Sequence, residues 1–267
     1  MYQLGLIGNP VSHSKSPDLH HNFLNRAGLK GSYELVHVEE DELQEKVEEL
    51  VNQGFSGFNV TVPYKEKVLN LLDSLEESAE LMGSVNTVKI ENGKLVGYNT
   101  DGKGYVRSLI ESYPDFLNQS KHKRVLLIGA GGAAKGIAHQ LNQYLFHDLM
   151  VTNRSYDKAE ALSHNFAQFR PMLLEDISVM KGQFDLIINT TTVGMYPSES
   201  EQIISLEGVG PSCIVSDIVY KPKWTALLKD AKYRGCQLLF GESMLYYQAL
   251  NSFEIWTNRQ LNFNLMN

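Results

Sequence analysis

The sequence predicts an α/β chain of two domains with largely parallel sheets. Two observations carry this. Strand-like and helix-like segments alternate along nearly the whole chain, which is the pattern of repeated βα units. The apolar run Val125-Leu126-Leu127-Ile128 is followed at once by a glycine-rich turn and then by helical spacing, as expected of a central parallel strand that feeds a helix. The length of 267 residues fits one large domain or two modest ones at roughly 150 residues each.

In the first half, Leu4 to Ile7 reads as a short buried strand. Pro17 suits the first turn of a helix whose Leu19, Phe23 and Leu24 share a face. Tyr33 to Val38 is a second strand. Asp41 to Val51 sets Leu43, Val47, Leu50 and Val51 at helical spacing, with its glutamates on a solvated face. Gly57 to Val62 is a third strand, stopped by Pro63. Val85 to Ile90 and Lys94 to Tyr98 flank Glu91-Asn92-Gly93, a hairpin signal. A polar stretch from Tyr113 to Lys123 separates this series from the next. There, helical spacing runs from Ala133 to Leu145. Strands follow at Leu149–Thr152, Asp185–Asn189, Ile214–Asp217 and Gln237–Phe240. Trp224 to Tyr233 and the segment from Glu242 onward read as helices.

Composition excludes several classes. Lys and Arg total 24 against 31 Asp and Glu, a net charge of -7. A basic footprint for nucleic acid or an anionic membrane is missing. No run of about 18 apolar residues appears, and the short apolar start reads as a strand rather than a signal peptide. Two cysteines, Cys213 and Cys236, can build neither a disulfide framework nor a four-cysteine zinc site, and they fit a reducing cytoplasm. No metal is expected. A monomer or a homodimer is equally compatible with the sequence.

Gly129-Ala130-Gly131-Gly132-Ala133-Ala134 lies between the apolar strand and the next helix. Gly129, Gly131 and Ala134 fit G-x-G-x-x-A, where small residues permit a tight turn and close approach of backbone to a pyrophosphate. The helix start supplies N–H donors for the anion. This predicts a Rossmann-type, doubly wound dinucleotide-binding domain. An NAD site usually carries an acid at the tip of the next strand, for the ribose 2′-hydroxyl. Here Asn153-Arg154-Ser155 stands there, with Lys158 one turn on. No carboxylate repels a 2′-phosphate, and Arg154 can pair with one, so NADP is the expected cofactor.

The first half concentrates polar side chains at strand ends, where α/β folds place ligand groups. Ser14 and Ser16 are two residues apart in a loop, so their hydroxyls can aim the same way; a helix cap is the simpler reading of Ser-x-Ser-Pro. Asn59 and Thr61 share one side of a strand, and Lys65 follows at the turn. Asn86 adds an amide, and Asp101 a carboxylate just past another strand. Together they point to a polyhydroxylated small acid.

These motifs resemble the shikimate dehydrogenase family. The opening G-N-P-V-x-H-S-x-S-P spans Gly8 to Pro17, N-V-T-x-P-Y-K spans Asn59 to Lys65, V-N-T spans Val85 to Thr87, and G-x-N-T-D-G spans Gly97 to Gly102. The glycine loop, Asn153-Arg154, Asp217-x-x-Tyr220 and a final Gly241-x-x-Met244-Leu245-x-x-Gln248 follow in the family's order. The resemblance implies NADPH-dependent reduction of 3-dehydroshikimate to shikimate, reversible, in aromatic amino acid biosynthesis. It implies Lys65 and Asp101 as the catalytic pair. Ser14, Ser16, Asn59, Thr61, Asn86, Tyr220 and Gln248 join them as shikimate contacts. It implies Gly129 to Ala133, Asn153, Arg154, Ser155 and Lys158 as NADP contacts, with Ile218 and Gly241 on the nicotinamide side and Glu77 reaching the cofactor. The substrate domain is then discontinuous, residues 1–101 plus 241–267, around an NADP-binding domain of 102–240. Thr190 departs from the family's usual alanine, and Glu242-Ser243 from its usual apolar-glycine pair. A quinate-using relative with NAD, and a sensing protein that binds a dinucleotide without catalysis, are the competing readings.

Overall fold

The computed structural model describes residues 1–261. The chain divides into two compact units, Met1–Asp101 with Gln248–Asn267, and Gly102–Tyr247. The expected return to the first unit at residue 241 therefore comes later, at Gln248. The reason is packing. Met244 is buried in the same core as Tyr105, Val106 and Leu109, and the Arg107 guanidinium sits 5.3 Å from the centre of the Tyr247 ring.

The first unit holds a six-stranded mixed sheet. Its strands are β1 (Tyr2–Gly8), β2 (Gly31–His37), β3 (Gly57–Val60), β4 (Ser74–Leu75), β5 (Thr87–Glu91) and β6 (Lys94–Tyr98), in spatial order β2-β1-β3-β5-β6-β4. β1 runs parallel to β2 and β3, whereas β5 runs antiparallel to β3 and β6. The β5–β6 hairpin turns at Asn92 and Gly93, with φ of 54° and 77°. Two left-handed residues in succession match the right-handed strand twist, and Asn-Gly is the pair that adopts them most readily. Helices α1 (Ser16–Arg26), α2 (Leu43–Asn52) and α3 (Glu77–Met82) belong to this unit. β3 ends at Val60, two residues short of the sequence expectation, because the chain leaves the ladder to make the turn that carries Lys65. Gly57 is required where it stands, since a Cβ there would run into the Trp256 indole.

The second unit holds a wholly parallel sheet of β7 (Arg124–Ile128), β8 (Asp148–Thr152), β9 (Phe169–Met172), β10 (Leu186–Asn189), β11 (Ile214–Asp217) and β12 (Gln237–Phe240). Their order is β12-β11-β10-β7-β8-β9, the doubly wound arrangement whose switch point lies between β7 and β10. The continuous apolar run of β7 is explained by its neighbours. Val125 and Leu127 enter one core, Leu126 and Ile128 another, so both faces of the strand are covered. α4 (Asp101–Ser112), α5 (Gly132–Leu141), α6 (Tyr156–Asn165), α7 (Ile177–Met180), α8 (Ala226–Tyr233) and α9 (Gly241–Thr257) complete the helices. α4 starts on Asp101 and α9 crosses Gln248, so both connections between the units are made by helical backbone.

Candidate active site

In the first unit, the side chains singled out by sequence gather at the sheet's strand ends. Lys65 Nζ donates to Asp101 Oδ2 at 2.7 Å. The amide of Asn86 donates to Asp101 Oδ1 at 2.8 Å. Each carboxylate oxygen thus has one partner and keeps a lone pair for a further donor. Asp101 is the first residue of α4, where the helix dipole favours a negative charge, and its backbone N–H donates to Asn99 Oδ1 at 3.1 Å. Asn86 Oδ1 accepts from the Thr100 N–H at 2.9 Å and from the Thr87 hydroxyl at 2.9 Å. The pair is therefore held from behind by fixed amides and hydroxyls, with 31% of the Lys65 side chain exposed against 11% of Asp101.

Ser14 and Ser16 come together at the start of α1, hydroxyl to hydroxyl at 3.1 Å. The helix-cap reading is met in part: the cap residue Lys15 makes no side-chain cap bond, but Ser14 Oγ accepts from the N–H of Ser16, the first residue of α1, at 3.2 Å. The Tyr33 hydroxyl donates to Asn59 Oδ1 at 2.8 Å. The Asn59 amide reaches Asn86 O at 3.0 Å, Thr87 Oγ1 at 3.1 Å and Ser252 Oγ at 3.2 Å. One network therefore runs from Tyr33 through Asn59 and Asn86 to the Lys65–Asp101 pair. Asn59 is buried within it and bonds protein groups on both ends of its amide. Thr61 is half-buried just past β3, its N–H on Ile7 O. Gln248 is half-buried on α9, and its carbonyl accepts from Ser252.

Burial also shifts two groups in this network. It drives the Tyr33 hydroxyl far above the ordinary phenol range, so the tyrosine is a neutral donor. Stacked on Tyr33 with ring centres 4.3 Å apart, the His20 imidazole is pushed down to about 3 by the same cause. Neither Tyr33 nor His20 carried a motif in the sequence. Only alternation along β2, which turns Tyr33 inward, was available to find the tyrosine.

In the second unit, the glycine loop leaves β7 at the switch point. Gly129 has φ of 116°, a conformation that L side chains rarely adopt. Gly131 is the N-cap of α5, and Gly132 opens it. Ala130 and Gly131 line a cavity of about 270 Å³ together with Asn153, Arg154, Ser155 and Lys158. Arg154 and Lys158 are exposed and have no carboxylate partner among the described residues. Helix-start N–H groups, a side-chain-free turn and two available cations fit a pyrophosphate and a 2′-phosphate. Thr191, Thr192 and Val193 from the β10 side line the same cavity; the sequence reading had placed no cofactor contact there. Thr190 does not disturb the site. Its hydroxyl donates to Ile128 O at 2.7 Å and fills the space that a Cβ on Gly129 would need.

Ile218 and Gly241 adjoin one another, since a Cβ on Gly241 would strike Ile218 O. Tyr220 is half-buried two residues past Ile218. Asp217, at the β11 tip, is fully buried and accepts from Thr225 Oγ1, Val219 N and Asn189 Nδ2 at 2.7, 3.0 and 3.1 Å. Burial raises its carboxyl above the usual range, against the pull of these donors. Glu77 lies exposed in the first turn of α3, in the first unit.

A doubly wound parallel sheet with a phosphate cradle at its switch point handles a pyridine dinucleotide. A lysine paired to a buried carboxylate, on a separate α/β unit, handles a proton on a polar substrate. Those two capacities in one chain define a nucleotide-dependent oxidoreductase. Residues 6–88 match the family model described as the shikimate dehydrogenase substrate binding domain, and residues 113–212 that described as shikimate / quinate 5-dehydrogenase. The shikimate dehydrogenase (NADP(+)) of Oceanobacillus iheyensis is 45% identical over 264 residues, covering 98% of this chain and 95% of that protein. The crystal structure of shikimate 5-dehydrogenase from Listeria monocytogenes, in complex with shikimate and NAD, is 34% identical with a TM-score of 0.88, over 98% of this chain and 93% of that one. Quinate dehydrogenase from Corynebacterium glutamicum, in complex with NAD, is 30% identical with a TM-score of 0.87, over 97% and 94%. The chain belongs to the shikimate dehydrogenase family.

Proposed function

We propose that this chain catalyses the reversible reduction of 3-dehydroshikimate to shikimate with NADPH, a step of aromatic amino acid biosynthesis carried out in the cytoplasm. The observation that carries the mechanism is the 2.7 Å contact between Lys65 and Asp101. NADPH, when bound, supplies the hydride to the ketone carbon. The Lys65 ammonium donates its proton to the carbonyl oxygen as negative charge builds there, and takes it back in the oxidation of shikimate. Asp101 fixes the ammonium and accepts a substrate hydroxyl on a remaining lone pair. Ser14 and Ser16 donate to the substrate carboxylate. Asn59, Thr61, Asn86, Tyr220 and Gln248 complete the polar envelope, with Asn59 and Asn86 also keeping the catalytic pair in register.

On the cofactor side, Gly129 to Ala133 hold the pyrophosphate by backbone N–H groups. Asn153, Arg154, Ser155 and Lys158 hold the adenosine 2′-phosphate, and Ile218 and Gly241 flank the nicotinamide. Glu77, exposed in the first turn of α3, reaches the cofactor in this reading. The substrate-binding domain corresponds to the first unit and the NADP-binding domain to the second.

Initial rates of reduced-cofactor formation (NADPH or NADH) with shikimate and NADP, compared with shikimate and NAD, quinate and NADP, and quinate and NAD, test this reading. Shikimate with NADP is expected to give the highest kcat/KM. A higher value for quinate or for NAD would replace it with the quinate-dehydrogenase reading, which the Corynebacterium relative represents. Cofactor binding without turnover of either acid would leave a dinucleotide-sensing protein.

A further inference from the structure

The segment that follows β11 carries Ile218 and Tyr220, and it is anchored from inside by Asp217, which accepts from Val219 N and from Thr225 Oγ1. Between those two anchors, residues 220–224 are exposed or half-buried. Their outer side meets the start of α9. Lys223 Nζ lies 2.7 Å from Glu242 Oε2 and 5.3 Å from the centre of the Phe240 ring. Trp224 packs its ring against Phe240, centres 5.0 Å apart and nearly perpendicular. Glu242 stands in the first turn of α9, where the dipole favours its charge whether or not Lys223 is present. The ion pair is thus one charge that α9 holds in place and one that the Tyr220 segment brings to it. The same helix carries Gln248 two turns further on.

The geometry points to Lys223 and Glu242 as positioning residues: their ion pair latches the middle of the Tyr220 segment to the first turn of α9 and so fixes where Tyr220 is held for the substrate. The inference rests on the proposed role of Tyr220 as a shikimate contact. It also gives Glu242, which breaks the family's apolar-glycine pattern, a partner and a purpose. Both side chains are partly exposed, 53% and 31%, so the latch is weak and salt-sensitive. A pair of this kind changes an equilibrium by about two- to fivefold.

Lys223→Met, Glu242→Gln and the double variant, made in the full chain, separate the possibilities. Each single variant is expected to raise KM for shikimate by about two- to fivefold with kcat and the thermal midpoint nearly unchanged. The double variant should be no worse than either single one, because both remove the same contact. High salt should bring the parent's KM toward that of the variants. Additive effects in the double variant, an unchanged KM, or a fall of kcat and thermal midpoint together would overturn the latch. Amide hydrogen exchange at residues 219–221 of the ligand-free protein provides a readout independent of turnover. It should quicken in both single variants and no further in the double one. If the parent fails to oxidise shikimate while exchange still responds this way, the functional reading fails and the latch stands. Unchanged exchange refutes the latch whatever the parent's activity.

Discussion

The two units prepare their ligand sites by opposite means. In the first, side chains do the work, and nearly every one is already bonded to another: Ser14 to Ser16, Tyr33 to Asn59, Asn59 and Asn86 to their neighbours, Asp101 to Lys65. In the second, the backbone does the work. Gly129 and Gly131 shape a turn in which they bring no side chain of their own, and the nearby Arg154 and Lys158 stay exposed. A network of fixed dipoles suits a reaction in which charge appears on one atom, since no reorganisation is needed at that moment. A bare cradle with flexible cations suits a large polyanion that must enter and leave in every cycle. Cutting Lys65 in the first site should therefore cost chemistry, whereas cutting a cation at the second should cost affinity.

Four variants sharpen or break that contrast. The largest effect is expected of Lys65→Ala, which removes the proposed proton donor. Turnover should fall by about 10² to 10⁴-fold while KM for shikimate moves little, and near-normal turnover would remove Lys65 from the chemistry. Next comes the double change Ser14→Ala with Ser16→Ala. Losing two donors to a carboxylate should raise KM for shikimate by about 10²-fold with a smaller change in kcat; an unchanged KM would mean that the serines serve only the start of α1.

The third prediction concerns the support beneath the first site. Burial keeps His20 neutral, with its pKa lowered from 6.5 to about 3. Between those values the unfolded chain binds a proton that the folded one refuses. The stability His20 contributes is present above pH 6.5 and lost as pH falls. From about pH 7 to pH 5 the loss should come to about 2 kcal/mol. Urea titrations across that range should show the parent losing stability faster than His20→Phe, and parallel profiles would contradict the buried neutral imidazole. The smallest effect is expected in the second unit. Arg154→Ala should lower kcat/KM for NADP by about tenfold, leaving kcat and the value for NAD nearly unchanged. An equal loss with both cofactors would show that Arg154 holds the adenine or the pyrophosphate rather than the 2′-phosphate.

Much of this arrangement was readable in the chain because it is local. The β5–β6 turn follows from Asn92-Gly93, and the cofactor cradle follows from three small residues between a strand and a helix. The carboxylate missing beside Arg154 is visible in two neighbouring residues. What escaped reading had no local signature. β9 carries Pro171, which cannot donate to a ladder, and it pairs only with β8, at the sheet's edge where that loss is tolerated. β4 is two residues long. Thr190 looked like an anomaly in its motif, yet its hydroxyl proves to be fitted to Ile128 O and to the empty side of Gly129.

The amino-acid order by itself determined the alternation of elements, the glycine loop between β7 and α5, the absence of an acid at the β8 tip and the identity of the polar groups available to the site. Each of these is set by residues within one or two turns of each other, where steric freedom, helix-start N–H groups and side-chain charge act directly. Tertiary structure alone decided which of those groups meet. Lys65 finds Asp101 across 36 residues and Asn59 finds Ser252 across 193. Such contacts exist because buried polar groups must be satisfied somewhere, and the partner that satisfies them is whatever the packed sheet brings within reach.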